Sequence, residues 1–517
     1  MRIVLMATTL AIDIIGIRIL SSVLKKEGYK VELLFIPNME YELVRRGFHR
    51  GTFVAKYSEK ALDQIANFCR DADLIGLSLI SRDLDASIQV TAKLKQTVKA
   101  PVIWGGFHPT VCPAESLEFA DIVCIGESET SLLELVRLMD AGKDYSSVPG
   151  LWVKDTNKRN PVGQLIHDLD TIPFSDYDCS THYLLVADEI KPLTPDLLET
   201  YLRATYPAFK RVLPGMEERI KPGIADYHII ATRGCPHNCT FCGSPQLKKI
   251  YAGQRFVRRR SVDNIISELK SINKEFRFFT DVHFCDDCFM LASDDYIKDF
   301  SKKYKEELNL PFYCLTSPAT ITETKLQYLV EAGLSFLSVG IQTGSKRTLE
   351  MYRRVNANKG IGKALKLINR HKDRVFPYYD FLIDNPYETD EDLLETIKLI
   401  KRMRRPYKIR IYSLVPFPGT ELYMKQKESK LLEGDIKEVY RKDFAERSEQ
   451  IRYFNLLIDL SRYQIPEGIF NFLTYDFVVK LLSKSILKNV VKVPYKLISF
   501  RQHINEKRRL RQGDLLG

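Results

Sequence analysis

Three cysteines fall within eight residues of one loop, in the run Arg233-Gly234-Cys235-Pro236-His237-Asn238-Cys239-Thr240-Phe241-Cys242-Gly243. No other stretch restricts the chain as much. Thiolates this close are hard to explain as packing. The C-x3-C-x2-C spacing lets one loop hold three corners of an iron–sulfur cube and leaves the fourth iron without a protein ligand. A structural zinc site would want a fourth Cys or His at short spacing, and His237 inside the loop would close a strained ring around a single metal. Zinc and unrelated core cysteines stay as the alternatives.

The rest of the chain alternates strand and helix patterns, which implies parallel sheets with ligands at the carboxyl ends of the strands. Through residue 175 the apolar runs 3–6, 31–36, 73–78, 101–106 and 122–127 read as strands, with helices at 17–26, 86–99 and 130–141. Small and polar residues close those strands: Ser78 to Ser81, then Gly105-Gly106-Phe107-His108-Pro109, then Gly126-Glu127-Ser128-Glu129. No G-x-G-x-x-G follows the first strand, which argues against a dinucleotide. Pro173-Phe174-Ser175-Asp176-Tyr177 reads as a linker, and 176–226 as linker or insertion, with a helix at 199–209. From 227 the rhythm resumes, with Ser261 predicted to cap a helix over 262–273. The count reaches six parallel strand–helix units by 425, short of the eight in a full barrel.

The cysteine spacing, with an aromatic residue just before the third cysteine, resembles the signature of the radical S-adenosylmethionine (SAM) enzymes. "GGFHP" and "GESE" in the first half, and "FCDDCF", "VGIQTG", "YRRV", "NPYET" and "PFPGTELY" in order through the second, resemble the subgroup with an amino-terminal cobalamin-binding domain. That subgroup includes class B methyltransferases and porphyrin-ester cyclases. The resemblance spans roughly residues 1–425. It implies an α/β chain: a Rossmann-like, doubly wound cobalamin domain over 1–175, a partial (β/α)6 radical SAM barrel over 227–425, and a helical, basic region over 426–517. It also implies a [4Fe-4S] cluster on Cys235, Cys239 and Cys242, SAM chelating the open iron, and bound cobalamin. An electron from a reduced flavodoxin- or ferredoxin-type donor would cleave SAM to a 5′-deoxyadenosyl radical, which takes hydrogen from an unactivated carbon. Methylcobalamin would then supply a methyl group. Two departures are visible. The Asp-x-His-x-x-Gly motif that supplies a cobalt-ligating histidine is missing, so His108 is expected near the corrin without binding cobalt. Asp384-Asn385-Pro386-Tyr387-Glu388-Thr389 stands where many members have Gly-Leu-Pro-Gly-Glu-Thr.

By the same resemblance Phe241 would meet the SAM adenine through its backbone, with Gly243 beside it; packing under the loop is the plainer role. Ser78, Gly105, Gly106, His108, Gly126 and Glu127 are the candidate cobalamin contacts. Asp286 and Asp287 sit at a predicted barrel mouth, where the fold puts function, either as SAM or substrate ligands or as a helix-dipole acid pair. Gln342 and Arg353, with Arg354 beside it, are candidates for SAM or a substrate anion; one arginine of the pair would be solvated. Tyr378, Tyr379 and Asp380 would line a substrate chamber or simply pack, and Tyr379 is the catalytic candidate among them. Cys285 and Cys288 form a C-x2-C that Cys314 would approach: a second metal, a catalytic thiol or apolar filler.

Composition narrows the setting. Of a net charge of +11 over 517 residues, +9 lies between Phe477 and Gly513, leaving +2 elsewhere. Lys480, Lys484, Lys488 and Lys492 recur every four residues beside an apolar flank, and Lys507-Arg508-Arg509-Leu510-Arg511 follows. Such a helix suits an anionic membrane surface; a helix packed on the barrel with a solvated basic edge is the alternative. No RNA-binding module accompanies the charge, so no nucleic-acid partner is expected. Ten cysteines without regular pairing fit a reducing interior, and the start reads as a strand, not a leader. The expectation is a cytoplasmic enzyme, or one peripheral at the inner membrane face, that methylates a carbon of a hydrophobic, lipid-like substrate. A radical SAM cyclase or oxidase is the rival, and a non-enzymatic corrinoid carrier a further one.

Overall fold

Ile3, Leu5 and Ala7 bury one side of the first strand and Val4 and Met6 the other. A strand apolar on both faces needs helices on both, which is the situation of a central parallel strand. The computed structural model, which describes residues 1–9, 11–37, 56–205, 225–432, 439, 453, 457–458 and 467–482, places it so. The first sheet contains β1 (Arg2–Ala7), β2 (Lys30–Phe35), β3 (Leu74–Ser78), β4 (Val102–Gly105), β5 (Ile122–Cys124), β6 (Leu151–Val153), β7 (Lys158–Arg159), β8 (His182–Val186) and β9 (Glu189–Pro192). Their order is β7-β6-β5-β4-β3-β1-β2-β8-β9. Strands β1 to β5 and β8 pair in parallel. Helices Ile15–Lys26 and Glu129–Asp140 cover the Ile3 side, and Glu59–Phe68 and Leu84–Thr97 the Val4 side. The chain reverses direction across the sheet between β1 and β3, so the switch-point crevice opens at their carboxyl ends.

One boundary moves. Residues 176–226 read as linker or insertion, yet β8 adds to β2, Leu33 opposite His182, and β9 folds back on it. This hairpin covers what would be an open, apolar edge of β2. The helix expected at 199–209 runs Pro195–Thr205, and 206–209 lies outside the described residues.

The second sheet is β10 (Asp226–Ile229), then, after the short pair β11 (Thr232–Arg233) and β12 (Arg258–Arg259), β13 (Asp281–Phe284), β14 (Phe312–Thr316), β15 (Leu334–Gln342), β16 (Phe376–Ile383) and β17 (Lys408–Ser413). Its order, β10-β13-β14-β15-β16-β17, follows the sequence and every pairing is parallel. That is the six-unit partial barrel. Ser261 caps the helix Val262–Glu275 by accepting from the Asn264 amide.

Strand alternation decides which side chains face the lumen. Leu337, Val339, Ile341, Tyr379, Phe381, Ile409 and Ile411 pack outward with the surrounding helices, whereas Tyr313, Phe336, Phe376 and Tyr378 form a separate cluster inside. Tyr379 is therefore not a chamber residue: its ring packs outward, near Tyr407 (5.6 Å), and its neighbours Tyr378 and Asp380 take the inner face. The outward cluster does not stop at the barrel. It runs without a break from Ile3, Leu5 and Leu33 to Tyr227, Phe284 and Leu337.

Near the carboxyl terminus, helices Glu467–Leu473 and Asp476–Leu482 leave Phe472, Tyr475 and Phe477 65–70% exposed. Lys484, Lys488, Lys492 and the run 507–511 lie outside the described residues. No helix among the described residues is long and apolar enough to cross a membrane.

Candidate active site

β10 and β11 deliver the chain to the cysteine loop through Gly234, whose φ of +86° and lack of a side chain are both required: a Cβ would stand 2.5 Å from the Phe256 carbonyl oxygen. Three bonds anchor the far side. The Thr240 amide donates to the Tyr352 carbonyl (3.2 Å), its hydroxyl to the Met351 carbonyl (3.0 Å), and the Leu422 amide to the Thr240 carbonyl (2.9 Å). Phe241 packs edge-on against Tyr352, ring centres 5.0 Å apart, beside Leu414 and Leu422.

All three thiols are free, with Cys235 and Cys239 buried and Cys242 half-buried. Burial pushes Cys235 up to about 12 and Cys242 to about 11, and the Asp287 charge adds to both. Thiols so placed keep their protons until a metal displaces them. Among the described residues, the Cys/His/carboxylate groups whose ligand atoms all fall within 4.8 Å are His228–His283–Cys285 and His108–Cys112–Glu115. The loop cysteines are not such a group.

The neighbouring arginines separate cleanly. Arg353 turns outward to Glu421 (2.8 Å) and is more than half exposed, the solvated member of the pair. Arg354 is buried, and its guanidinium donates to the Cys239 sulfur (3.3 Å), the Gly340 carbonyl (2.6 Å) and Asn358 (3.4 Å). Gln342 ends β15 with φ +71°, a strained conformation for a residue with a side chain, and a β-bulge between Gly340 and Gln342 sets it there. Its amide nitrogen lies 2.8 Å from where a Gly340 Cβ would be, so the Gly-Ile-Gln run closes over Arg354.

The two aspartates also divide. Asp286 is buried and accepts from the Ala231 amide (3.0 Å), tying the barrel mouth to the strand that feeds the cysteine loop; burial raises it to about 6. That bond gives it a positioning role. Asp287 is exposed, and the Ser244 hydroxyl, two residues past Cys242, donates to it (3.4 Å). Cys288 lies against the hydroxyls of Thr316 (3.5 Å) and Ser317 (3.7 Å), and Cys314 is fully buried toward the helices; neither shares the inner face with Cys285.

The first sheet presents its strand ends to this mouth. Ser78, Gly105 and Gly106 line a cleft with Leu5, Ile103, Cys124, Ser128 and Leu132. A Cβ on Gly105 would meet nothing nearer than 3.7 Å. An apolar cradle at the switch point fits part of a large planar cofactor such as cobalamin. The other expected contacts are otherwise engaged. His108 is fully buried in the helix Phe107–Val111, with Nδ1 3.1 Å from the Ser81 hydroxyl and Nε2 3.7 Å from Glu115, and burial pushes it down to about 4. Gly126 makes room for Tyr251, whose hydroxyl would lie 2.0 Å from a Cβ there and accepts from the Glu127 amide (2.6 Å).

Glu127 is the centre of a clamp. It accepts from Arg233 (2.9 Å) and from both terminal nitrogens of Arg258, one of them at 3.0 Å, while Arg233 also donates to Glu129 (2.6 Å). Arg258 is 1% exposed. The residue two before Cys235 is thus bolted to the end of β5. Gly243 completes the junction: a Cβ there would lie 2.1 Å from the Phe107 ring, so its missing side chain serves the domain contact.

Inside the barrel, Arg410 donates to Asp380 (2.6 and 2.9 Å), to the Ser338 hydroxyl and to the Tyr313 hydroxyl (3.2 Å), above the aromatic cluster. Arg410, Arg258 and Phe107 are not evident from the sequence. Only Phe107 had a signal, its place inside "GGFHP".

The model of the Radical SAM superfamily matches residues 229–400, and that of the B12 binding domain residues 1–136. An uncharacterized methyltransferase of Pyrococcus horikoshii is 27% identical over 364 residues, 68% of this chain and 69% of that one. The bacteriochlorophyllide d C-8(2)-methyltransferase of Chlorobaculum tepidum is 23% identical over 491 residues, 92% of this chain and 89% of that one. Among solved structures, the cobalamin-dependent SAM radical enzyme OxsB with aqua-cobalamin and SAM bound has the same fold, with TM-score 0.61 at 15% identity over 97% of this chain and 72% of that one.

Proposed function

Because this chain is a radical SAM enzyme with an amino-terminal B12-binding domain, we propose that it methylates an unactivated carbon of a hydrophobic, membrane-associated substrate. The observation that carries the reading is the clamp. Glu127 and Glu129 at the end of β5 hold Arg233 and Arg258, so the cleft of one domain and the cysteine loop of the other face each other across a fixed joint.

Cys235, Cys239 and Cys242 would hold a [4Fe-4S] cluster, with SAM on its open iron and cobalamin against Ser78, Gly105 and Gly106. When bound, cluster and SAM supply one-electron cleavage of SAM and a hydrogen-abstracting radical, and cobalamin supplies the methyl group. The protein's residues do the rest. Arg354 donates to the Cys239 sulfur and keeps positive charge beside it, which favours accepting an electron from a flavodoxin- or ferredoxin-type donor. Asp286 fixes the approach of β10 to the loop. Tyr313, Phe336, Phe376 and Tyr378 give the lumen an aromatic floor, and Arg410, held by Asp380 and Ser338, is its fixed cation.

An aromatic floor favours an apolar body on the substrate. The similarity over nearly the whole chain to a protein named for bacteriochlorophyllide supports the same class. The exposed Phe472, Tyr475 and Phe477, followed by the lysine-rich segment, support contact with an anionic bilayer. Turnover of reconstituted enzyme with methyl-labelled SAM on a lipid extract tests the proposal. Label in an extractable apolar product is expected. 5′-Deoxyadenosine without labelled product would instead mark a cyclase or oxidase. Deleting residues 477–517 should abolish binding to anionic liposomes; intact binding would remove the membrane part of the reading.

A further inference from the structure

The partners that meet Cys285 are not the cysteines that the sequence suggested but two histidines, one just before it on β13 and one from the neighbouring strand β10. β10 and β13 pair with His228 opposite His283, and both side chains face the lumen. Their ring nitrogens, His228 Nε2 and His283 Nδ1, stand 3.2 Å apart. Cys285 follows His283 by two residues, on the same face, and its sulfur completes a group whose three ligand atoms lie within 4.8 Å of one another. We propose that His228, His283 and Cys285 form a second metal site, for zinc, at the barrel mouth and separate from the cysteine loop.

The donor set points to the ion. Two imidazoles and one thiolate suit zinc and leave a fourth position for water or another oxygen donor. Two nitrogens bound tetrahedrally at 2.0–2.1 Å lie about 3.3 Å from each other, close to the separation seen. The surroundings are those of a built site. Asp13, buried in the loop after β1, lies 3.0 Å from His228 Nδ1, and a carboxylate receiving the other ring N–H is how ligating histidines are oriented. The His283 ring packs on Tyr313, centres 4.3 Å apart. One polar atom remains unexplained without an ion: Asp226 Oδ1 is buried with no hydrogen-bond partner among the described residues. Asp226 Oδ2 is 3.8 Å from His228 Nε2, which makes this carboxylate the nearest fourth donor. Asp13 belongs to the cobalamin half and the ligands to the barrel, so the ion would also tie the halves together beside the substrate chamber.

The test uses the full chain, purified anaerobically with its iron in place and titrated with zinc, then with cobalt(II) as a spectroscopic probe. Expected are about one zinc per chain beyond the iron and, with cobalt, a thiolate-to-metal charge-transfer band with tetrahedral ligand-field absorption. Cys285→Ser and His283→Asn should remove the zinc and the band while iron content stays unchanged, which shows that the variants fold. Asp13→Asn should weaken zinc binding 10–100-fold. Zinc retained at full stoichiometry in Cys285→Ser would overturn the site. So would zinc lost on replacing Cys235 or Cys239 instead, since it would then have occupied the cluster loop.

Discussion

Gly243 offers the sharpest test of how the two halves meet. In Gly243→Ala the new methyl would lie 2.1, 2.5 and 3.1 Å from three atoms of the Phe107 ring, where ordinary contact begins near 3.4 Å. Restoring contact requires relative movement of at least about 1.3 Å. The ring has little room to retreat: Gly106 before it is packed on the Leu79 backbone, and His108 after it is fully buried. The displacement should therefore pass to the other side, to Cys242 and the loop. Overpacking of this kind costs about 1–3 kcal/mol, and it should appear twice, as a lower anaerobic melting temperature and as iron and sulfide below the wild-type ratio. Phe107→Ala supplies the control. In the double variant the methyl meets no ring, so a double-mutant cycle should return about 1–3 kcal/mol of favourable coupling, with iron content recovered relative to Gly243→Ala alone. Wild-type stability and iron content in Gly243→Ala, or a coupling near zero, would refute the argument.

Three further outcomes follow from the same geometry. Glu127→Gln should destabilise at the low end of the roughly 3–5 kcal/mol for breaking a buried ion pair, since Arg258 is 1% but Glu127 24% exposed. Burial raises the Glu127 carboxyl, but Arg258 and Arg233 outweigh it and hold it below its ordinary value; the clamp's stabilisation is thus complete above that ordinary value and lost as pH falls through the folded one, an acid-side slope in melting temperature that Glu127→Gln should flatten. Asp286 behaves oppositely: with its carboxyl raised to about 6, stability should decline as pH rises from about 4 to about 6 and level off above. Asp286→Asn should erase that decline, whereas Asp286→Ala should cost about 1–3 kcal/mol by orphaning the Ala231 amide. Finally, Arg354→Met should shift the reduction potential of the reconstituted cluster to more negative values, and Arg353→Met should leave it within error; equal shifts in a spectroelectrochemical titration would refute the assignment of the two arginines.

The parts of this molecule that announce themselves in the sequence are those whose chemistry is local. Three thiolates on one loop, apolar runs ended by glycine and polar clusters, and a serine at a helix start each carry their reason within a few residues. What stayed hidden depends on register. Tyr378, Tyr379 and Asp380 read as one cluster, but strand alternation sends the middle one to the helices, and nothing in the three letters says which. Arg353 and Arg354 are adjacent, and only the positive φ of Arg353 turns it to Glu421 while Arg354 faces Cys239. The β8–β9 hairpin turns through Ala187 and Asp188, both at positive φ, without the Asn-Gly or Gly that marks such turns. The ion-pair partners of Glu127, Arg233 and Arg258, are more than a hundred residues away, beyond the reach of any local pattern.

The apolar cluster that passes unbroken from β1 into the barrel limits how far either half can be treated as a separable unit. Two sequence families meet in this chain as if they were modules, yet neither half can be lifted out without baring a seam of Leu, Ile, Phe and Tyr side chains that the other half covers. A graft of either half onto an unrelated neighbour would inherit an uncovered wall. A substitution along the seam in one half therefore has to suit the side chains of the other.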